Sequence, residues 1–375
     1  MKKKLLIVLT ILLIFLSHCD KNRNDSIKEI IINENSVILN LVPEKLKSIR
    51  ISDLRFPNLF HDHIHVYVYG YSIDKGRERC IVRKFDDQLN LVSEKMFELG
   101  MGPNDLGEGV YFYPGKDFIY APDNTQGRVN IFDKNFSFVK FIKLPRYLPI
   151  TMIKNGRYFL GTHLEIIKEK GAKIYTTELV FFPEMKKNLI HTLGPTISYT
   201  SQRKHIIGEE PEFSYFYQNF KNIDRIYYIN MKSYQISIYD FNGKIIKRVR
   251  LNVEMKKVPL NMKNKWLHEQ SSRVGIERRV FTDWIQPASK VVPLEKGFVV
   301  IRRKDYMDEC NGLVDADYFN FDLEMLGKVN FPCFYDHNRL TRGYISSYIM
   351  SFNGYLYLTS EINEEYYLEK WRLNE

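Results

Sequence analysis

The residues best suited to chemistry in this chain sit in the run HDHIH. His61, His63 and His65 alternate. In an extended strand, alternation places the three imidazoles on one face and turns Asp62 to the other. Three imidazoles make a zinc or copper ligand set, so the run is a candidate divalent-metal site. The competing reading is a solvated polar loop at the edge of a strand. His163, His191, His205, His268 and His337 are scattered, and no Gly-x-Ser-x-Gly nucleophile elbow occurs.

A second stretch, GMGPNDLGEG at residues 100–109, has the glycine density of a phosphate loop. A P-loop ends in Gly-Lys-Ser/Thr, so that the lysine reaches the phosphates and the hydroxyl reaches Mg²⁺. Asp105 and Glu108 stand here instead and would repel a phosphate. The acidic run Glu209-Glu210-Pro211-Glu212 could bind calcium, but it lies in a polar insertion (196–216) whose composition is that of a solvated loop. A longer insertion, roughly 252–290, carries Trp266, Arg273, Arg278, Arg279 and Trp284. Trp and Arg are the side chains that dominate binding hot spots. Trp266, Arg278, Arg279 and Trp284 are therefore the candidate residues for a protein, peptide or glycan ligand. A helix or hairpin covering one face is the alternative.

The elements that must position these residues are strands. Tyr and Phe number 25 each, and aromatics favour strands. Short alternating runs are separated by turn residues throughout, which is the strand signature. Segment 118–144 (FIYAPDNTQGRVNIFDKNFSFVKFIKL) aligns without gaps on 225–251 (RIYYINMKSYQISIYDFNGKIIKRVRL). Weaker copies occupy 65–99, 157–193, 297–331 and 354–373. Four copies place an aromatic-Asp pair at the second turn: Phe85-Asp86, Phe132-Asp133, Tyr239-Asp240 and Phe321-Asp322. An Asp there caps its own turn through backbone hydrogen bonds.

Six such copies predict an all-β fold, a six-bladed β-propeller with four-stranded antiparallel blades, in which each blade buries both faces against its neighbours. The last copy is short of strands. Ser36–Leu41 (SVILNL) belongs to no copy and is expected to supply the missing outer strand, so that an N-terminal strand closes the ring and removes an open edge. GMGPNDLGEG then becomes the crossing from the outside of one blade to the inside of the next, with glycines for positive φ.

The N-terminus reads as an address. Lys2, Lys3 and Lys4 precede the run Leu5–Leu16, apolar except for Thr10. That run is shorter than the roughly 20 residues of a membrane span and fits the core of a signal peptide. Leu16-Ser17-His18-Cys19 resembles a bacterial lipobox, whose cysteine is lipidated and becomes the first mature residue; His18 departs from the small residue usual before it. The expected organisation is a lipoprotein signal peptide at 1–18, a flexible polar tether at 19–34 and the propeller at 35–375. Net charge falls from +10 to +7 without the three lysines. The basic residues are dispersed, and nucleic acid is excluded as a partner. Cys80, Cys310 and Cys333 remain. One disulfide, Cys310 to Cys333, is an option in an oxidising envelope, and buried free thiols are the other.

The Gly-x-Gly-Pro-x-Asp turn after the first copy, the lipobox and the aromatic-Asp repeats together resemble the six-bladed β-propeller lipoproteins of Gram-negative envelopes, which are related to NHL-type propellers. The turn there commonly reads Gly-x-Gly-Pro-Gly-Glu. Gly100, Gly102, Pro103 and Asp105 match in kind, and Asn104 replaces a glycine. The resemblance implies a fold and a location in the cell envelope, lipid-anchored at the outer membrane. It brings no catalytic residues. The expected function is a non-enzymatic binding or scaffolding module without a resident cofactor. The alternative is a metal-dependent propeller enzyme, similar to NHL-type lyases or lactonases, with its site in the central channel.

Overall fold

The computed structural model describes residues 29–33, 39, 42–74, 76–102, 104–107, 109–123, 125–144, 148–153, 158–167, 172–181, 186–198, 205–207, 213–254, 257, 260, 279–281, 287–302, 311–334, 349–362 and 365–374. Two strands come first, β1 (Ile30–Asn33) and β2 (Val42–Arg50). Then β3 (Arg55–His61), β4 (Val66–Asp74), β5 (Arg77–Phe85) and β6 (Leu91–Glu98) form one antiparallel sheet. A second contains β7 (Tyr113–Pro114), β8 (Ile119–Asp123), β9 (Arg128–Phe132) and β10 (Phe138–Lys143). A third contains β11 (Leu148–Ile153), β12 (Tyr158–Ile167), β13 (Ala172–Phe181) and β14 (Lys186–Ser198). After β15 (His205–Ile207) comes the sheet of β16 (Phe213–Phe220), β17 (Ile223–Asn230), β18 (Gln235–Tyr239) and β19 (Ile245–Asn252), with β1 added in parallel to β19. After β20 (Arg279–Phe281) come β21 (Ala288–Pro293), β22 (Gly297–Arg302), β23 (Asn311–Asn320) and β24 (Met325–Phe334). The last sheet joins β25 (Ile349–Phe352), β26 (Tyr355–Ile362) and β27 (Glu365–Asn374) to β2. Five sheets thus have four strands, one has five, and β15 with β20 makes a small parallel pair.

The fold is an all-β propeller with four-stranded antiparallel blades. Its leading strands lie side by side: β3 beside β7, β7 beside β11, β11 beside β16, β16 beside β21, β21 beside β25, and β25 beside β3. The strand that the sequence presents as the first of each copy is the second of each sheet. β4, β17 and β22 are buried on both faces, and their two-residue period divides each between two neighbouring interfaces. On β4, Tyr67 and Tyr69 pack towards Phe112 and Phe132 of the second sheet, while Val66 and Val68 pack against Phe352, Tyr357 and Leu368 of the last. On β17, Tyr227 and Ile229 face the β22 sheet, and Ile226 and Tyr228 face Leu160 of β12. On β22, Phe298 and Val300 take the β17 side, and Val299 and Ile301 take the β26 side. Aromatic pairs recur at equivalent places: Phe60 stacks on Tyr67 and Phe216 on Tyr227, each at 4.5 Å between centroids.

The aromatic-Asp turns are structural. Asp86 accepts hydrogen bonds from the N–H groups of Gln88 and Asn90, Asp133 from those of Asn135 and Ser137, and Asp240 from those of Asn242 and Lys244. In each loop the fourth residue is left-handed: Leu89 (φ 58°), Phe136 (φ 60°) and Gly243 (φ 79°). The fourth expected cap is displaced. Asn320, not Asp322, accepts from the N–H groups of Asp322 and Glu324, with Leu323 left-handed. Asp322 instead takes Arg225 at 2.7 Å and Lys221 at 3.0 Å from the neighbouring sheet.

Two expectations about the N-terminal region need correction. The strand paired with β27 is Val42–Arg50, not Ser36–Leu41. Its Lys45 reaches the fully buried Glu369 at 2.9 Å, which also accepts from Ser360 Oγ and Trp371 Nε1. The expected tether is not free to its end either. Ile30–Asn33 is strand β1, the Gln235 amide donates to Glu29, and the Leu39 N–H donates to the Lys328 carbonyl at 3.1 Å. β1 and β2 thus satisfy outer-edge backbone groups of two sheets, and Leu39 adds one hydrogen bond to the sheet between them.

Candidate functional face

Antiparallel order divides the connections between two ends of the sheets. At one end lie the β3–β4, β5–β6, β9–β10, β18–β19, β23–β24 and β25–β26 turns, none longer than the five residues Asp86–Asn90. At the other end lie the crossings from the outer strand of one sheet to the leading strand of the next. The long ones span 99–112, 199–212, 253–287 and 335–348 between named sheet strands, the β10–β11 crossing is only 144–147, and the 303–310 connection of β22 to β23 opens the same way. The ends are thus chemically unlike: one is sealed by short capped turns and the other carries nearly all the long loops.

The HDHIH run belongs to the short-turn end. The alternating strand expected for it is replaced by a turn. The Asp62 N–H donates to the His65 carbonyl, and the Asp62 carboxylate accepts from the Ile64 and His65 N–H groups at 3.1 and 2.8 Å and from the Tyr67 hydroxyl at 2.7 Å. Burial alone would raise the Asp62 pKa, but these hydrogen bonds hold it below the ordinary carboxylate value. His63 is exposed and left-handed (φ 72°), so the three imidazoles do not share a face. The His61 ring stacks on Phe352 at 4.7 Å and meets His63 edge-on at 5.5 Å. Burial, reinforced by His63, lowers the His61 pKa to about 4. Among the described residues no three His, Cys, Asp or Glu side chains come together as a metal set.

GMGPNDLGEG lies at the opposite end, between β6 and β7. It is held as an interlocked loop. The Asp105 carboxylate accepts from the Gly102 N–H at 2.8 Å, and the fully buried Asp123 accepts from the N–H groups of Gly107 and Gln126 at 2.6 and 2.9 Å. Arg128, itself buried, donates to the carbonyls of Gly102 and Asp105 at 2.7 and 2.9 Å. A Cβ on Gly107 would lie 2.4 Å from Asp123 Oδ1, and one on Gly100 or Gly102 would lie 2.5 or 2.7 Å from Asp105 Oδ2. Close approach, rather than positive φ, requires these three glycines; only Gly109 is left-handed (φ 77°). Among the described residues of the loop, these polar groups are taken up by its own architecture rather than presented as a phosphate cradle.

No protein-family model matches the sequence, and no curated protein matches it. Solved structures do. A member of the DUF4221 family from Bacteroides vulgatus superposes with a TM-score of 0.57 at 12% identity, covering 90% of this chain and 99% of its own. A protein from Bacteroides fragilis inferred to be exported gives 0.52 at 14%, covering 93% and 100%. At these identities the likeness is one of fold, and it is to the propeller over nearly the full length of both.

Of the candidate ligand residues, Trp266, Arg278 and Trp284 lie outside the described residues. Arg279 begins β20, whose parallel pairing with β15 (His205 opposite Arg279) joins two of the long connections, 199–212 and 253–287. The sequence does not show that pairing, because each partner is a three-residue strand inside a polar insertion. Cys19 and Cys310 also lie outside the described residues. Cys80 is a buried free thiol whose pKa burial pushes up to about 12. Among the described residues no helix is long and apolar enough to cross a membrane.

Proposed function

We propose that this chain is a lipid-anchored, six-bladed propeller of the bacterial envelope, closed by β2, that binds a protein, peptide or glycan through the end bearing its long connections. One observation carries the binding reading: the long connections leave a single end of the sheets, and two of them are joined through β15 and β20. A rigid scaffold with loops gathered at one end is the usual arrangement of a recognition surface. Trp266, Arg278, Arg279 and Trp284 fall within or beside those connections and have the composition of binding hot spots. The six-blade count is supported by the succession of leading strands returning to β3, and closure by the β2–β27 register. Lipidation at Cys19 rests on the signal-peptide pattern, and the outer-membrane location on the resemblance.

A photo-crosslinking side chain placed at Trp284, or separately at Asn135 in a capped short turn, tests the reading in intact cells. Adducts to a discrete envelope component from position 284 and none from 135 are expected. Equal yields from both ends, or adducts from 135 alone, would overturn the assignment of the binding end.

A further inference from the structure

The first residues of a domain stay loose unless something ties them down. In this chain the ties recur in a regular way. The N-terminal segment meets three sheets in the order in which they follow one another. Ile30–Asn33 adds to β19, the Leu39 N–H donates to the Lys328 carbonyl of β24 at 3.1 Å, and Val42–Arg50 adds to β27. β19, β24 and β27 are the outermost strands that each of those sheets builds for itself.

At each meeting one apolar side chain packs inward. Ile32 packs against the cluster shared by β17 and β22, Leu39 against the cluster shared by β22 and β26, and Ile49 against the cluster shared by β26 and β4. These are three different interfaces between neighbouring sheets, taken in order. The residues just before the first plug face water instead: Ile30 is 47% and Ile31 64% exposed. A polar tie accompanies each plug. The Gln235 amide donates to Glu29, the Leu39 N–H supplies the second tie, and Lys45 pairs with the buried Glu369 at 2.9 Å.

Hydrogen bonds to an outer edge hold a segment to one sheet at a time and leave the packing between sheets untouched. A plug acts differently. It covers apolar surface contributed by two sheets, so parting those sheets returns that surface to water. The sheets pack one after another, and the N-terminal segment crosses three of their interfaces from outside.

We infer that residues 29–50 act as a belt, which holds three successive inter-sheet interfaces shut through Ile32, Leu39 and Ile49, so that the propeller is secured at three interfaces and not only where β2 joins β27. The belt makes Ile30–Asn33 part of the rigidity of the body rather than the end of a spacer.

The test uses the full chain carrying Ile32→Ser, Leu39→Ser or the neighbouring Ile31→Ser. Urea unfolding reads the global midpoint, and hydrogen exchange resolved by peptide reads local opening. Ile32→Ser is expected to lower the midpoint and to speed exchange several-fold on both sides of its interface, in β19 and in β24. Leu39→Ser should do the same in β24 and β27 and leave β19 unchanged. Ile31→Ser, whose side chain is already in water, should keep the midpoint and the exchange pattern of the parent. If the serine variant does not fold, Ile32→Val removes one methylene and should show the same pattern at smaller amplitude. Exchange that rises in β19 alone on loss of the Ile32 plug would mark β1 as a strand added to a single sheet and overturn the belt. A midpoint for the Ile32 variants equal to that of Ile31→Ser would overturn it as well.

Discussion

Replacing Gly107 by Ala tests whether close approach, not backbone freedom, governs the crossing between β6 and β7. The added Cβ would lie 2.4 Å from Asp123 Oδ1 and 2.8 Å from the Thr125 Cβ. Neither neighbour can give way freely. Asp123 is fully buried and holds the Gly107 and Gln126 N–H groups. Displacing it loses hydrogen bonds to a charged acceptor, each contributing about 1.5–3 kcal/mol, and leaves a buried carboxylate short of donors. Gly107→Ala should therefore destabilise the fold by about 3 kcal/mol. Gly109→Ala is the control. Its φ is 77° and no atom lies within 4 Å of a new Cβ, so only the left-handed backbone penalty of about 1–2 kcal/mol applies. Urea unfolding followed by tryptophan fluorescence gives both values. A Gly107→Ala loss no larger than that of Gly109→Ala would refute the packing account of this turn.

Other outcomes follow from single contacts. His61 has a folded pKa near 4 against 6.5 unfolded, so the unfolded chain binds the extra proton first as pH falls. The stability it contributes is present above pH 6.5 and lost towards pH 4, and between pH 7 and 5 the loss is about 2 kcal/mol. His61→Gln should flatten that part of the pH-stability curve, and an unchanged slope would contradict the burial of the ring. Asn320→Ala should cost about 1 kcal/mol, as loss of a cap does, and should do so in high salt as well. Asp322→Ala should lose its effect as salt screens the Arg225 and Lys221 pairs; urea titrations at low and high ionic strength separate the two. The Cys80 thiol should react with a disulfide reagent only on unfolding, because burial suppresses the thiolate.

Strand content and the repeat were legible because alternation and turn chemistry are local. Phe85-Asp86, Phe132-Asp133 and Tyr239-Asp240 mark their turns correctly. Phe321-Asp322 misleads by two residues, since Asn320 performs the same capping and only the left-handed Leu323 reveals the register. HDHIH reads as an alternating strand until Asp62 is seen to bind the backbone of its own turn. The roles of Gly100, Gly102 and Gly107 were not local for the last of these: Asp123, sixteen residues away, closes on Gly107. The strand joining β27 was misplaced because SVILNL is the more apolar segment. An outer strand shows one face to solvent, and Glu44–Ser48 of β2 are exposed. That the long connections leave one end was hidden because the insertions reveal composition but not the strand directions that gather them together.

The proposed closure rests on β2 and β27 sharing one sheet. Arg50 of β2 lies opposite Tyr367 of β27, a register that places their Cα atoms within disulfide range. The most direct measurement is the unfolding midpoint of the Arg50→Cys/Tyr367→Cys protein, oxidised and reduced, with the bridge mapped by mass spectrometry. The account predicts quantitative formation of the bond and an oxidised form more stable by roughly 3–5 kcal/mol, since the bond closes a loop spanning nearly the whole propeller. Failure of the pair to form, or a bond that leaves the midpoint unchanged, would contradict closure by β2.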